Sequence, residues 1–175
     1  MPAAKGAASP ARGAAPPGWP PLQPLWRGRL SKSKSVQCTL VCVDALAPSG
    51  AARLEPFEWP PELAVLARAP VREALEAYRT ALPQRRAVRR LLAAGGPGSP
   101  DDAGLAGFAE YLRSKDRAGL VKIAHCAAVG HARDMHLLVP EEGVLRELGV
   151  AGCRPGERAL IAVVTPSRED AARMM

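Results

Sequence analysis

Aromatic residues are scarce in this sequence, since Phe, Trp and Tyr together make up 4% of its 175 residues. Proteins that grip single-stranded nucleic acid stack its bases on aromatic side chains, and few are available here. No apolar run approaches the roughly 18 residues that a membrane-spanning helix requires. We therefore expect a core built mainly from Leu, Val and Ala, and no membrane span.

Cysteine is also sparse, and the four present are Cys38, Cys42, Cys126 and Cys153. The N-terminus lacks the apolar segment of a secretory signal, so we expect reduced thiols. Zinc binding by Cys38, Cys42 and Cys126 with His125 is an alternative, but no second ligand pair has the usual spacing of a zinc site. We predict buried free thiols, with no metal site and no cofactor.

The chain divides into three parts by composition. Residues 1–24 are rich in Ala, Pro and Gly, which predicts a disordered leader. Residues 25–166 form the expected domain, and residues 167–175 a C-terminal tail. The leader contains Lys5 and Arg12 but no acidic residue, so +5 of the net charge of +7 belongs to the rest of the chain. A basic balance predicts an acidic partner.

Hydrophobic periodicity predicts a mixed α+β fold. Leu105, Phe108 and Leu112 share one helical face, and residues 160–164 are almost all apolar, which predicts a central strand buried on both faces. Segment 62–69 fits a helix or a strand. The run 160–164 belongs to a predicted strand over 157–165, and the other predicted strands are 25–31, 36–43, 86–94, 119–125 and 135–139. Helices are predicted to start at Pro70, after a cap at Asp101 or Asp102, and at 140–142.

The helix that ends near Lys115 has a basic edge. Tyr111 and Lys115 are four residues apart and therefore neighbours on the helix surface, with Arg113 and Arg117 close by. Gly119 permits the turn into the next strand. Two interpretations remain open: an edge rich in hydrogen-bond donors that receives an anion, or a solvated helix end whose cations complement the helix dipole.

Four short motifs, taken in order, resemble the SPOC domain. This is the C-terminal domain of the Spen family of transcription and RNA-processing regulators, and the similarity is greatest to its plant FPA-like members. The motifs span about residues 25–165 and read Trp26-Arg-Gly-Arg-Leu, Tyr111-Leu-Arg-Ser-Lys-Asp-Arg-Ala-Gly-Leu, His136-Leu-Leu-Val-Pro and Leu160-Ile-Ala-Val-Val. The resemblance implies a distorted β-barrel of about seven strands, flanked by several short helices.

The resemblance also implies a function. SPOC domains are not enzymes but bind short peptides, several of them phosphoserine peptides, through a basic patch. The implied partners are phosphorylated segments of nuclear proteins: corepressors, RNA polymerase II tails or RNA-processing factors. By motif, the patch tyrosine and lysine correspond to Tyr111 and Lys115. The patch arginine falls on Arg68 and a second lysine on Lys32, with Lys34 as the competing register.

Two other functional classes stay open. The clusters Arg85-Arg86 and Arg89-Arg90 are compatible with a β-barrel that binds nucleic-acid phosphates, although no RNA-recognition motif is present. Cys126 beside His125 suggests a Cys/His hydrolase, but no acidic orienting residue or nucleophile motif accompanies the pair.

Overall fold

The structure, a computed structural model, describes residues 24–45, 58–126 and 129–173. The predicted leader, apart from its last residue, and most of the irregular segment before Trp59 lie outside these ranges. The strands are β1 (Trp26–Lys32), β2 (Ser35–Ala45), β3 (Glu62–Val65), β4 (Ala67–Pro70), β5 (Ala87–Ala93), β6 (Arg117–Ile123), β7 (Arg133–Leu138) and β8 (Leu160–Pro166). The helices are α1 (Val71–Thr80), α2 (Pro100–Lys115), α3 (Glu142–Leu148) and α4 (Arg168–Arg173).

The eight strands of the described ranges form one sheet in the order β3-β1-β2-β5-β8-β7-β6-β4. Its two edge strands, β3 and β4, are consecutive in the chain and meet at Leu66, whose backbone N–H donates to the carbonyl of Leu120 at 3.1 Å. This kink brings the edges together and nearly closes the sheet into a barrel. The expected α+β barrel is confirmed. It has one strand more than the roughly seven expected, because the ambiguous segment 62–69 forms two strands, β3 and β4.

Strand β8 lies between β5 and β7 and is buried on both faces, as predicted. Leu160, Ala162 and Val164 point into the barrel interior. Ile161 and Val163 point to the outer face, where they join a second apolar cluster formed with α1 and α3. Alternating side chains of one strand therefore support two cores.

Helix α2 supplies Leu105, Phe108 and Leu112 to the barrel interior, which confirms the predicted apolar face. The predicted cap at Asp101 or Asp102 is wrong. Ser99 caps the helix, since its extended backbone precedes Pro100 and its hydroxyl accepts from the Asp102 N–H at 3.1 Å.

Asp102 instead connects α2 to the preceding loop and to Arg158. Its buried carboxylate accepts from the Gly98 N–H at 2.9 Å and pairs with Arg158 at 2.5 Å. The Gly98 hydrogen bond is the main reason that the pKa of Asp102 lies below its ordinary value, with Arg158 contributing. The ionised form therefore stabilises the fold.

We expect Asp102→Asn to lower the melting temperature at neutral pH and to matter less in acid. A carboxyl with a depressed pKa contributes stability above its unfolded-state pKa and loses that contribution as the pH falls through its folded-state pKa. Thermal melts of wild type and variant from about pH 7 to about pH 3 measure this, and the two melting temperatures should converge. A constant difference over that range would contradict the electrostatic role.

The segment expected as a C-terminal tail contains α4. Asp170 anchors this short helix by accepting from the Ala132 N–H at 2.8 Å, while the Ser167 N–H donates to the Ala132 carbonyl at 2.9 Å. Helix α4 thereby lies beside α1 at one end of β8. Among the helices described, none has the length and apolar character needed to cross a membrane.

Candidate functional site

Three of the four residues predicted for the patch meet around one aromatic ring. Lys32 ends β1, Arg68 lies on β4 and Tyr111 lies on α2. The Lys32 ammonium nitrogen is 3.3 Å from the centroid of the Tyr111 ring, and the Arg68 guanidinium carbon is 5.5 Å from it. Both distances lie within the range of cation–π attraction. We call these three residues the Tyr111 cluster.

Packing against the barrel interior fixes the position of the Tyr111 ring. Tyr111 is partly buried against the barrel interior and lies 6.2 Å from the ring of Phe108. Lys32 reaches it because the chain reverses at once through Ser33 and Lys34, both with positive φ, as in a tight hairpin. Lys34 lies on that exposed turn and has no ring contact within the described ranges, so the geometry favours the Lys32 register.

The cations of the cluster carry uncompensated charge. Neither Lys32 nor Arg68 has a carboxylate partner among the residues that the structure describes. Neighbouring arginines differ, since Arg29 pairs with Glu62 at 3.0 Å and Arg113 with Glu110 at 2.6 Å. The cluster thus combines two available cations with a phenol, which is the donor set that an anion requires.

Lys115 lies apart from the ring. It is one helical turn beyond Tyr111, about 6 Å along the axis, and lines a separate cleft of about 310 Å³ with Arg72, Arg117 and the acidic Asp116. The three basic side chains form no ion pair among the described residues, so the cleft has a net positive charge. The four predicted residues therefore form two adjacent cationic sites.

Arg72 belongs to this second cleft and was missed by the sequence analysis. No motif marks it. It follows β4 at the start of α1, and the pairing of Pro70 with Arg117 brings the two arginines to one place. Predicting the contact would have required the pairing of β4 with β6, which the ambiguous reading of segment 62–69 did not supply.

The arginines proposed for nucleic-acid binding are engaged within the protein. Arg86 donates to the Tyr78 carbonyl at 2.7 Å and covers the Tyr78 ring at 4.1 Å. Arg90 pairs with Glu157 at 3.2 Å, and Arg89 is buried. These contacts argue against a basic surface for phosphates at this position.

The cysteines do not assemble into a chemical site in the part of the chain that is described. Cys38 and Cys42 are buried in the barrel interior, and burial with the nearby Asp101 raises the pKa of Cys38 to about 12. Cys126 is half-buried, with its sulfur 3.8 Å from Arg133, while His125 is exposed. No group of three potential ligands within the described ranges is arranged to hold a metal ion.

Comparisons with known proteins agree with this architecture. The family model of the SPOC domain matches residues 19–167. Among solved structures, the crystal structure of the SPOC domain of human PHD-finger protein 3 (PHF3) superimposes with a TM-score of 0.56 at 14% sequence identity, covering 82% of this chain and 97% of that one. No curated protein sequence matches significantly. The chain belongs to the SPOC family of protein-interaction domains.

Proposed function

We propose that this SPOC domain binds phosphoserine-containing peptides of nuclear proteins, without catalysing a reaction, in the regulation of transcription or RNA processing. The observation that carries the proposal is the Tyr111 cluster, in which two cations that have no carboxylate partner among the described residues flank one fixed phenol. Its partners are phosphorylated segments of corepressors, of RNA polymerase II tails or of RNA-processing factors, and its compartment is the nucleus.

The chemistry of the cluster suits a phosphate group. Phosphoserine carries a charge of about −1.5 to −2 at neutral pH and three acceptor oxygens. Lys32 and Arg68 supply charged donors and Tyr111 supplies a neutral one. Each charge-assisted hydrogen bond is worth about 1.5–3 kcal/mol. The cleft of Lys115, Arg72 and Arg117 adds positive potential next to the phosphate. It therefore attracts the same phosphorylated peptide.

We expect Lys32→Gln to weaken binding of a phosphoserine peptide by at least about 1.5 kcal/mol, roughly tenfold. The substitution removes the ammonium that lies on the Tyr111 ring and keeps a polar side chain that is one atom shorter. Lys34→Gln is the matched control. It removes the same charge two residues along the chain, from a side chain that has no ring contact among the described residues. Titration of matched phosphorylated and plain peptides by fluorescence polarisation measures both variants.

Two further variants measure how much Lys115 and Tyr111 contribute to phosphopeptide binding. Lys115→Ala should also cost about tenfold while leaving folding nearly intact, because an exposed lysine at a helix end contributes little stability. Tyr111→Phe should cost less, since it removes one neutral donor and keeps the ring. Added salt should reduce the difference in affinity between the phosphorylated and the plain peptide, because it screens the charges. Equal affinity for the two peptide forms in wild type would refute phosphate recognition.

The partner itself can be identified by affinity capture. The domain should retain nuclear proteins from an extract, and prior treatment of that extract with phosphatase should abolish the retention. The Lys32→Gln protein is the control, because it should lose the same proteins. Retention that survives phosphatase but disappears with nuclease would instead favour nucleic-acid binding.

A further inference from the structure

A groove runs between α1 and α4, next to the Tyr111 cluster. It consists of two adjoining cavities of about 340 and about 480 Å³. We call the smaller one the near cavity, because Arg68 lines it. The two cavities are parts of one groove, since they share the lining residues Glu73, Ala77, Thr165, Pro166 and Arg168.

Arg68 connects the groove to the phosphate site. Its guanidinium carbon is 5.5 Å from the Tyr111 ring centroid, and the same residue lines the near cavity. A phosphate bound by the Arg68 guanidinium is therefore in contact with a residue that also lines this cavity. An extended peptide advances about 3.3 Å per residue, so a residue close to the phosphoserine reaches it.

The near cavity has a mixed lining, in which apolar side chains lie beside charged and polar ones. Leu120 and His136 face each other across the β6–β7 pair and form part of its floor. Ala77 and Pro166 line it from α1 and from the end of β8. Leu120 is only half-buried, because α1 covers the outer face of the sheet at Val163 but leaves Leu120 partly open.

The charged side chains described in the near cavity form ion pairs, with the exception of Arg68. Lys122 pairs with Asp134 at 2.8 Å, and Arg168 pairs with Glu73 at 3.1 Å. Burial lowers the pKa of His136, so its imidazole is neutral at neutral pH. Of the charged side chains described in this cavity, Arg68 alone lacks an oppositely charged partner. Once the phosphate occupies Arg68, a further charged ligand group would have to compete with an existing ion pair, whereas an uncharged group displaces only water.

We propose that the near cavity receives an uncharged aliphatic or aromatic side chain of the bound peptide, located a few residues from its phosphoserine. This inference rests on the proposed function and specifies its ligand: a phosphoserine accompanied by a bulky apolar residue, with the phosphate on the Tyr111 cluster and the apolar side chain against Leu120, Ala77 and Pro166. Apolar contact in a cavity of this kind supplies affinity, and the charged site supplies selectivity for the phosphate.

The test uses fluorescein-labelled peptides with one phosphoserine in a Gly/Ala background. A single Leu is placed in turn at each position up to about four residues on either side, a span that an extended peptide covers from the phosphate to the groove. At one or two positions Leu should tighten binding about tenfold over Ala. Glu or Lys at the same position should give no such gain.

Three variants test whether the tighter binding produced by Leu depends on the near cavity. Ala77→Phe fills the cavity and should abolish the preference for Leu while leaving the affinity for the all-Ala phosphopeptide unchanged. Leu120→Thr removes part of the wall, should reduce the preference, and decides the question if Ala77→Phe does not fold. Ala172→Phe is the control, because Ala172 is exposed on α4 and does not line the groove.

The outcomes separate the two proposals. A Leu preference that survives both cavity variants, or the absence of any such preference, overturns this inference and leaves the phosphate site standing if binding still depends on phosphorylation. Equal binding of phosphorylated and plain peptides overturns the proposed function and this inference with it. Concentration-dependent dimerisation that Ala77→Phe abolishes would assign the groove to a second copy of the chain instead.

Discussion

Val163→Asp is expected to abolish folding of the domain. Val163 is fully buried, with Val88 and His136 as its neighbours across the flanking strands. An aspartate here places an unpaired carboxylate among apolar side chains, and such changes cost about 4–5 kcal/mol or more. Domains of this size are stable by only about 5–15 kcal/mol. Circular dichroism should show no cooperative thermal transition.

Val36→Asp is the matched control for this result. It makes the same chemical change on β2, where the side chain is 54% exposed. Surface substitutions of this kind usually change stability by no more than about 0.5 kcal/mol. The control protein should therefore melt close to wild type. A soluble Val163→Asp protein with a cooperative transition would contradict the position of β8 between two cores.

Gly104→Ala is expected to destabilise the domain although alanine favours helices. Helix α2 passes so close to β2 at this point that a Cβ on residue 104 would overlap the carbonyl oxygen of Gln37 and lie 3.0 Å from the Cβ of Cys38. A backbone oxygen in a sheet cannot move aside cheaply. Overpacking of this kind costs about 1–3 kcal/mol. Urea unfolding with a fixed m-value measures the change.

Gly107→Ala tests the same substitution one helical turn later. A Cβ there meets no heavy atom of the described structure within 4 Å. Only the helix preference remains, and it favours alanine by about 0.5–1 kcal/mol. The two alanine variants should therefore shift stability in opposite directions. Destabilisation by both would show that α2 requires glycine for a reason other than its close approach to β2.

Local patterns in the sequence were sufficient for most of the fold. The apolar face of Leu105, Phe108 and Leu112 indicated α2, and the unbroken apolar run 160–164 indicated a strand buried on both faces. Such patterns are reliable because burial acts on every turn of a helix and on every second residue of a strand. The helix cap was missed because Ser99, Asp101 and Asp102 are all good capping residues. Pro100 occupies the first position of the helix, which makes Ser99 the cap.

Helical spacing indicated the edge of Tyr111 and Lys115, but the contribution of Lys32 and Arg68 could be anticipated only through family resemblance. No spacing rule connects Lys32, Arg68 and Tyr111, which are far apart in the chain and lie on three different elements. Their convergence depends on the kink at Leu66 and on the hairpin after Lys32. Residues outside the family motifs, such as Arg72, and the groove between α1 and α4 carried no sequence signal, because their lining comes from segments that meet only after folding.

By itself the sequence determined most of the helices and strands, the apolar faces that form the core, and the basic charge balance of the chain. These properties depend on side chains close together in the chain. The sequence left segment 62–69 open between helix and strand and did not indicate α4. Tertiary structure alone decided that Lys115 lies apart from the Tyr111 ring, that Arg86 and Arg90 are engaged internally, and that a groove opens beside Arg68. Each depends on contacts between distant segments, and the register that creates such contacts is set by the packing of the whole barrel.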